Sequence, residues 1–198
     1  MLTLWDLMKP VMDALRPRPA AQRKARRGPG APSQRTAGSA SANGEKPGAQ
    51  DAYDRVVREM LERHRVRVRR WRTSMSGMAW EVRYADGSVA RLIEAPRPKG
   101  PMSAAVFLHE IGHHAIGFNT YKPRCLEEYH AWRWSLEAME ANGLNVTDAV
   151  RRRMHESLWY AISKANRRGI RSLPAELEPY RTRPPRRRRG RGAGGGGG

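Results

Sequence analysis

The sequence predicts an α+β domain: an N-terminal helix, a small three-stranded antiparallel sheet, then three further helices, set between basic tails. Three observations carry this expectation. Residues 51–64 and most of 102–167 hold apolar side chains at helical spacing. The stretch 66–95 between them alternates apolar and polar residues, the period of a strand. The flanks, 16–50 and 173–198, contain almost nothing to bury. At 198 residues the chain has room for one modest domain plus such tails.

Residues 1–15 open the chain as a short helix, with Leu4, Leu7, Met8, Val11 and Leu15 at helical spacing and Pro10 near its middle. Residues 16–50 are rich in Pro, Gly, Ser, Ala and Arg, the composition of a disordered linker. The folded part spans 51–172. Its first helix, DAYDRVVREMLERH, turns Tyr53, Val56, Val57, Met60 and Leu61 to one face. VRVRRWR (66–72) alternates, which places Val66, Val68 and Arg70 together. In MAWEVRYADGSVARLIEAP, the Asp86-Gly87 pair between two alternating runs predicts a hairpin. Pro96, Pro98 and Pro101 end the last strand. A helix follows from about Met102 to Gly117. The next, CLEEYHAWRWSLEAMEAN, closes at Asn142-Gly143. Thr147 is the expected N-cap of the last, DAVRRRMHESLWYAISKANRR, which ends at Gly169. Residues 173–198 finish in RTRPPRRRRGRGAGGGGG, a disordered basic tail.

Charge and cysteine content narrow the class. The chain has 38 Lys+Arg against 19 Asp+Glu, a formal charge of +19. Residues 51–174 hold 22 basic and 14 acidic side chains, so more than half of the excess lies in the flanks. Arg-rich tails and the VRVRRWR strand can contact the phosphates of a nucleic acid without reading sequence, which makes nucleic acid a candidate partner. Cys125 is the only cysteine, which excludes an intramolecular disulfide and a thiolate-rich zinc site. It fits a reducing, cytoplasmic compartment. No apolar run is long enough for a transmembrane segment. Asp6, Lys9 and Asp13 interrupt the N-terminus, so a signal peptide is not expected.

The chemistry sits in LHEIGHH. His109 and His113 are four residues apart, so on a helix they share a face one turn apart. Two neutral imidazoles so placed can reach one tetrahedral zinc ion. Glu110 lies about 100° round the helix. There it can take the proton of a water that attacks a carbonyl, while zinc acidifies that water and polarises the carbonyl. Val106, Phe107, Leu108, Ile111 and Ile116 surround the motif. Two histidines and a glutamate on so apolar a helix need partners, because unpaired polar burial is costly. The bland alternative is a hydrogen-bonded pair of core histidines.

A third ligand must come from elsewhere. The version HExxHxxGxxH fails, since Ile116 and Asn119 stand at its Gly and third His positions. The next helix offers Glu127, Glu128 and His130. At 100° per residue, Glu128 falls near the centre of an apolar arc of Cys125, Trp132, Ser135, Leu136 and Met139. Glu127 falls toward its edge, and His130 lies with Arg133, Glu137 and Glu140. A carboxylate amid an apolar arc calls for a partner or a metal, so Glu128 is preferred, with Glu127 and His130 as alternates. Ala131 would let the two helices approach closely.

LHEIGHH followed by Glu-x-x-Ala (Glu128 to Ala131) resembles the gluzincin zinc metallopeptidases. The compact, strand-preceded arrangement is most similar to the ImmA/IrrE-type and minigluzincin proteins. The resemblance covers about residues 51–165. It implies a helix, a small antiparallel sheet and two zinc-bearing helices. It also implies a hydrolase with Zn2+ on His109, His113 and Glu128, Glu110 as base, and a protein or peptide substrate. His130 stands where the family has a second glutamate.

Secondary candidates surround this set. SVARLIEAP would be the edge strand that pairs with an extended substrate backbone. A donor for the transition state is sought among His155, Tyr121, Tyr129 and Tyr160. His114, one residue off the ligand face, reads as surface or as a support for the ligands. Trp132, Trp134 and Trp159 read as core.

Overall fold

The computed structural model describes residues 48–185. The expected helix at 1–15, most of the linker and half of the basic tail lie outside these residues. The first described element, α1 (Ala49–Arg63), buries Val56 and Met60, with Tyr53, Val57 and Leu61 packed beside them. This is the face that its periodicity selects. Asp51 accepts a hydrogen bond from the Gly48 amide at 2.9 Å, which holds the helix start.

Three strands follow: β1 (Val66–Arg72), β2 (Met78–Arg83) and β3 (Val89–Pro96). The hairpin forms where Asp86-Gly87 places it. β2 and β3 pair antiparallel, Gly87 takes φ +81°, and Asp86 accepts from the Ser88 amide at 2.8 Å. The sheet itself is mixed rather than antiparallel. Its order is β1-β3-β2, and β1 runs parallel to β3. β3 is therefore central and paired on both sides, so it cannot be the edge strand that receives a substrate. Alternation along VRVRRWR specifies which side chains share a face. It carries no information on which neighbour the strand chooses or in which direction.

The mixed order has a local cause and a local consequence. A short segment, Thr73–Gly77, joins two strands that are not neighbours. It therefore crosses the end of β3, a span of two strand spacings or about 9.5 Å. β1 also carries a bulge between Val68 and Arg70. Strict alternation would point Arg70 into the core with Val66 and Val68. The extra residue, Arg69, breaks the alternation, and Trp71 packs on Phe107 instead, 5.9 Å between ring centroids. Arg69, Arg70 and Arg72 all reach the buried carboxylate of Glu94 on β3, at 2.9, 3.2 and 3.0 Å. Three of the strand's four arginines are thus committed to one internal partner.

The helices α2 (Pro101–Ile116), α3 (Arg124–Ala141) and α4 (Asp148–Arg167) complete the core. Pro101 stands at the start of α2, where its missing N–H costs nothing, and the Ser103 hydroxyl accepts from the Lys99 and Gly100 amides. Residues 103–114 of α2 are buried throughout, because the sheet covers one side and α3 the other. A helix enclosed on both sides must be apolar all round, which explains the run around LHEIGHH. Ser135 on α3 donates to the Ala105 carbonyl at 2.8 Å. At α4, Thr147 caps the Val150 amide at 3.3 Å, and Val150, Met154 and Leu158 enter the core. Beyond residue 172, Ala175–Tyr180 forms a 3-10 helix whose Leu177 is fully buried against Cys125, Ile162 and Ala165. The packed region thus runs past the point where the basic tail was expected to begin.

Candidate metal centre

α2 and α3 are held at close range by small residues. A Cβ added to Gly112 would lie 2.8 Å from the Ala131 carbonyl oxygen, so the backbones touch where the motif turns toward its partner helix. This contact sets the second histidine of the motif against the first turns of α3.

His109, His113 and Glu128 converge there. One ligand-type atom from each lies within 4.8 Å of the others. His109 Nε2 is 3.4 Å and His113 Nε2 is 3.7 Å from Glu128 Oε2. Hydrogen bonds between such atoms would be shorter, near 2.8 Å. Bonds of about 2.0–2.1 Å at a tetrahedral angle put neighbouring ligand atoms roughly 3.3–3.4 Å apart. The spacing can therefore hold a common ion, and two imidazoles and one carboxylate are a donor set that suits zinc.

The electrostatics agree with that use. Burial pushes His109 down to about 4, against the opposing pull of Glu128, so the imidazole is neutral and free to donate its lone pair. Burial works to raise the Glu128 carboxyl, but His109 and His113 outweigh it and hold the group well below the ordinary carboxylate range. Glu110 is driven the other way, up to about 8, by burial and then by the negative Glu128. The two carboxyls are thus held at opposed proton affinities by the same group of neighbours.

Other residues support these. Glu127 is fully buried behind His113, with Oε1 3.8 Å from Nδ1 and Oε2 accepting from the Asn119 amide at 2.7 Å. It is outside the converging group, and its Oε1 makes no hydrogen bond to the ring. Arg124 reaches both Glu127 and Glu128, at 3.1 and 3.2 Å. Trp132 stacks on His109 with 4.4 Å between centroids. His114 is buried rather than surface, and its Nε2 meets the Leu92 carbonyl of β3 at 3.1 Å. It ties α2 to the sheet.

A cavity of about 750 Å³ opens beside His109, Glu110 and Glu128. Its far wall is α4, including Arg153, Ser157, Tyr160 and Lys164. Its roof is Ser76 and Gly77 of the crossover segment. A Cβ on Gly77 would come within 2.6 Å of Glu110 Cδ, so any larger residue would push the Glu110 side chain aside. Arg153 donates to the Met75 carbonyl at 3.1 Å and pins that segment in place. Of the donors sought from sequence, Tyr160 lines this cavity. His155 instead meets the Thr182 carbonyl at 2.8 Å, Tyr129 packs toward Tyr180, and His130 stacks with Tyr121. Arg153, Gly77 and Arg124 were missed. Arg124 had a readable signal, its i,i+3 and i,i+4 spacing to Glu127 and Glu128. Gly77 and Arg153 reach the site only through tertiary structure.

Comparison with protein-family models, with curated proteins and with solved structures gives no match. The functional argument therefore rests on the His109, His113 and Glu128 group. No helix among the described residues is long and apolar enough to cross a membrane.

Proposed function

We propose that the chain is a zinc-dependent peptidase that hydrolyses peptide bonds in a protein substrate. The observation that carries this reading is the 3.4 and 3.7 Å convergence of His109 and His113 on Glu128, with a proton-binding Glu110 one residue away. A bound zinc ion would supply Lewis acidity, acidifying water and polarising the scissile carbonyl. Glu110 accepts the proton of the attacking water and returns it to the leaving amine. Trp132 packs on the His109 ring, and the absence of a side chain at Gly77 leaves room for the Glu110 carboxyl. Arg153 supplies positive charge on the cavity wall, where negative charge develops on the carbonyl oxygen. The edge of β2 not paired with β3 begins one residue after Gly77, and an extended substrate adds to it as a further strand.

Metal analysis tests this. Purified protein is expected to bind about one zinc per chain. His109→Ala and Glu128→Ala should each lose it. Glu110→Gln should keep zinc and lose hydrolysis of a peptide mixture. Retained zinc in Glu128→Ala would overturn the ligand set, and unaltered hydrolysis in Glu110→Gln would overturn the enzymatic reading.

A further inference from the structure

α4 forms one wall of the cavity beside the ligand group, from Arg153 to Lys164. The side chains that α4 turns to it are Arg153, Ser157, Tyr160 and Lys164, followed by Arg168 just past the helix end. Their spacing of three and four residues is one helical stripe. The neighbouring stripe, about a quarter-turn round, with Val150, Met154, Leu158 and Ile162, is in the core. The wall is thus fixed by packing and does not depend on a mobile loop.

Its charge is uneven. Near the metal group, Arg153 acts on His109 and is held by Met75. At the far end, Lys164 and Arg168 are exposed, and neither has an ion-pair partner among the described residues. The surface between them is Tyr160, Ala161, Ala165 and Ile170, which offers apolar contact and no carboxylate. Glu156 is the one acidic residue on the α4 wall, and it lies at the Arg153 end. Eleven residues of helix separate Arg153 from Lys164, about 16 Å of rise. An extended peptide covers that distance in about five residues at roughly 3.3 Å each.

Resting on the peptidase reading, we infer that Lys164 and Arg168 select substrates with an acidic side chain at a fixed position, within about five residues of the scissile bond. The acidic side chain reaches the two cations while the backbone lies along α4 and the scissile carbonyl sits at the metal group. A segment with Lys or Arg at that position meets like charge and is rejected.

Two measurements test this. In the first, a mixed peptide library is digested with zinc-loaded protein and the cleavage products are aligned by mass spectrometry. Asp and Glu are expected to be enriched about tenfold over Lys and Arg at that distance, on one side of the cut. In Lys164→Glu/Arg168→Glu the preference should reverse, with zinc content and the thermal melt unchanged. In the second, labelled peptides with Glu or Lys at that position are titrated by fluorescence anisotropy into zinc-loaded Glu110→Gln protein. The Glu peptide should bind about tenfold tighter, and the difference should shrink with added salt. Cleavage without charge preference, or a preference that the double variant leaves intact, would overturn this inference and spare the peptidase reading. No cleavage of any peptide at full zinc loading would overturn that reading, while the anisotropy titration would still decide the charge preference.

Discussion

At the residue scale, Glu110 is the side chain whose surroundings most oppose its ordinary ionisation. Burial, with Glu128 beside it, lifts its value from 4.5 to about 8. The folded chain therefore holds a proton that the unfolded chain has released. Stability of the metal-free protein should fall as pH rises from about 4.5, with the full loss reached above about 8. Glu110→Gln removes this term, so in urea melts of metal-free protein it should exceed wild type at pH 9 by a few kcal/mol and match it at pH 4. His109 and His114 act in the opposite sense. Burial holds both near 4, so stability should also fall as pH drops from 6.5 toward 4. A second prediction concerns Gly77. Gly77→Ala should keep zinc but lower hydrolysis about 100-fold, because the added methyl displaces the base by the order of an ångström. Equal activity in that variant would show that the crossover segment yields. HExxH is legible in sequence because the helix period alone places its three side chains. The preference for Glu128 followed from the same geometry on α3, where the polarity of one arc singles it out. Gly77 was not legible, since its meaning depends on a contact 33 positions away.

At the element scale, the helices were readable and the sheet was only half so. α1 and α4 bury the face their apolar spacing selects, α2 is buried all round, α3 turns Glu127 inward beside Cys125, Trp132 and Met139, and Thr147 caps where expected. The hairpin was readable because two turn residues encode it locally. The parallel pairing of β1 with β3 was not, because strand direction is set by non-local contacts. The bulge at Arg69 is a related case. It lets Arg69, Arg70 and Arg72 share Glu94, so much of the charge in VRVRRWR that suggested nucleic-acid contact has an internal use. The tightest element contact is that of α2 with α3 at Gly112. Gly112→Ala should destabilise the protein by about 1–3 kcal/mol and weaken zinc binding, because the methyl forces the two helices apart. Denaturant melts and metal titration of the same sample would check both effects.

At the scale of the whole molecule, the ligand group joins two helices that also carry the core. Zinc bound to the native state alone should raise stability by about 2.7 kcal/mol at 100 times its dissociation constant. Calorimetry with and without a chelator reads that shift, and His109→Ala should abolish it. An unchanged melting temperature on chelation would contradict a metal held by both α2 and α3.

Thr73–Gly77 bears on the order in which the molecule assembles. The segment links two strands with β3 between them, so its path is expected to settle once β3 is in place. The roof over Glu110 is then among the last parts to close during folding and among the first to open. Amide hydrogens of residues 73–77 should exchange well before those of α2, through local opening rather than global unfolding. In dilute urea, hydrolysis should decay while the helical circular dichroism is still intact. On the peptidase reading, a protein built this way loses activity before it loses its fold.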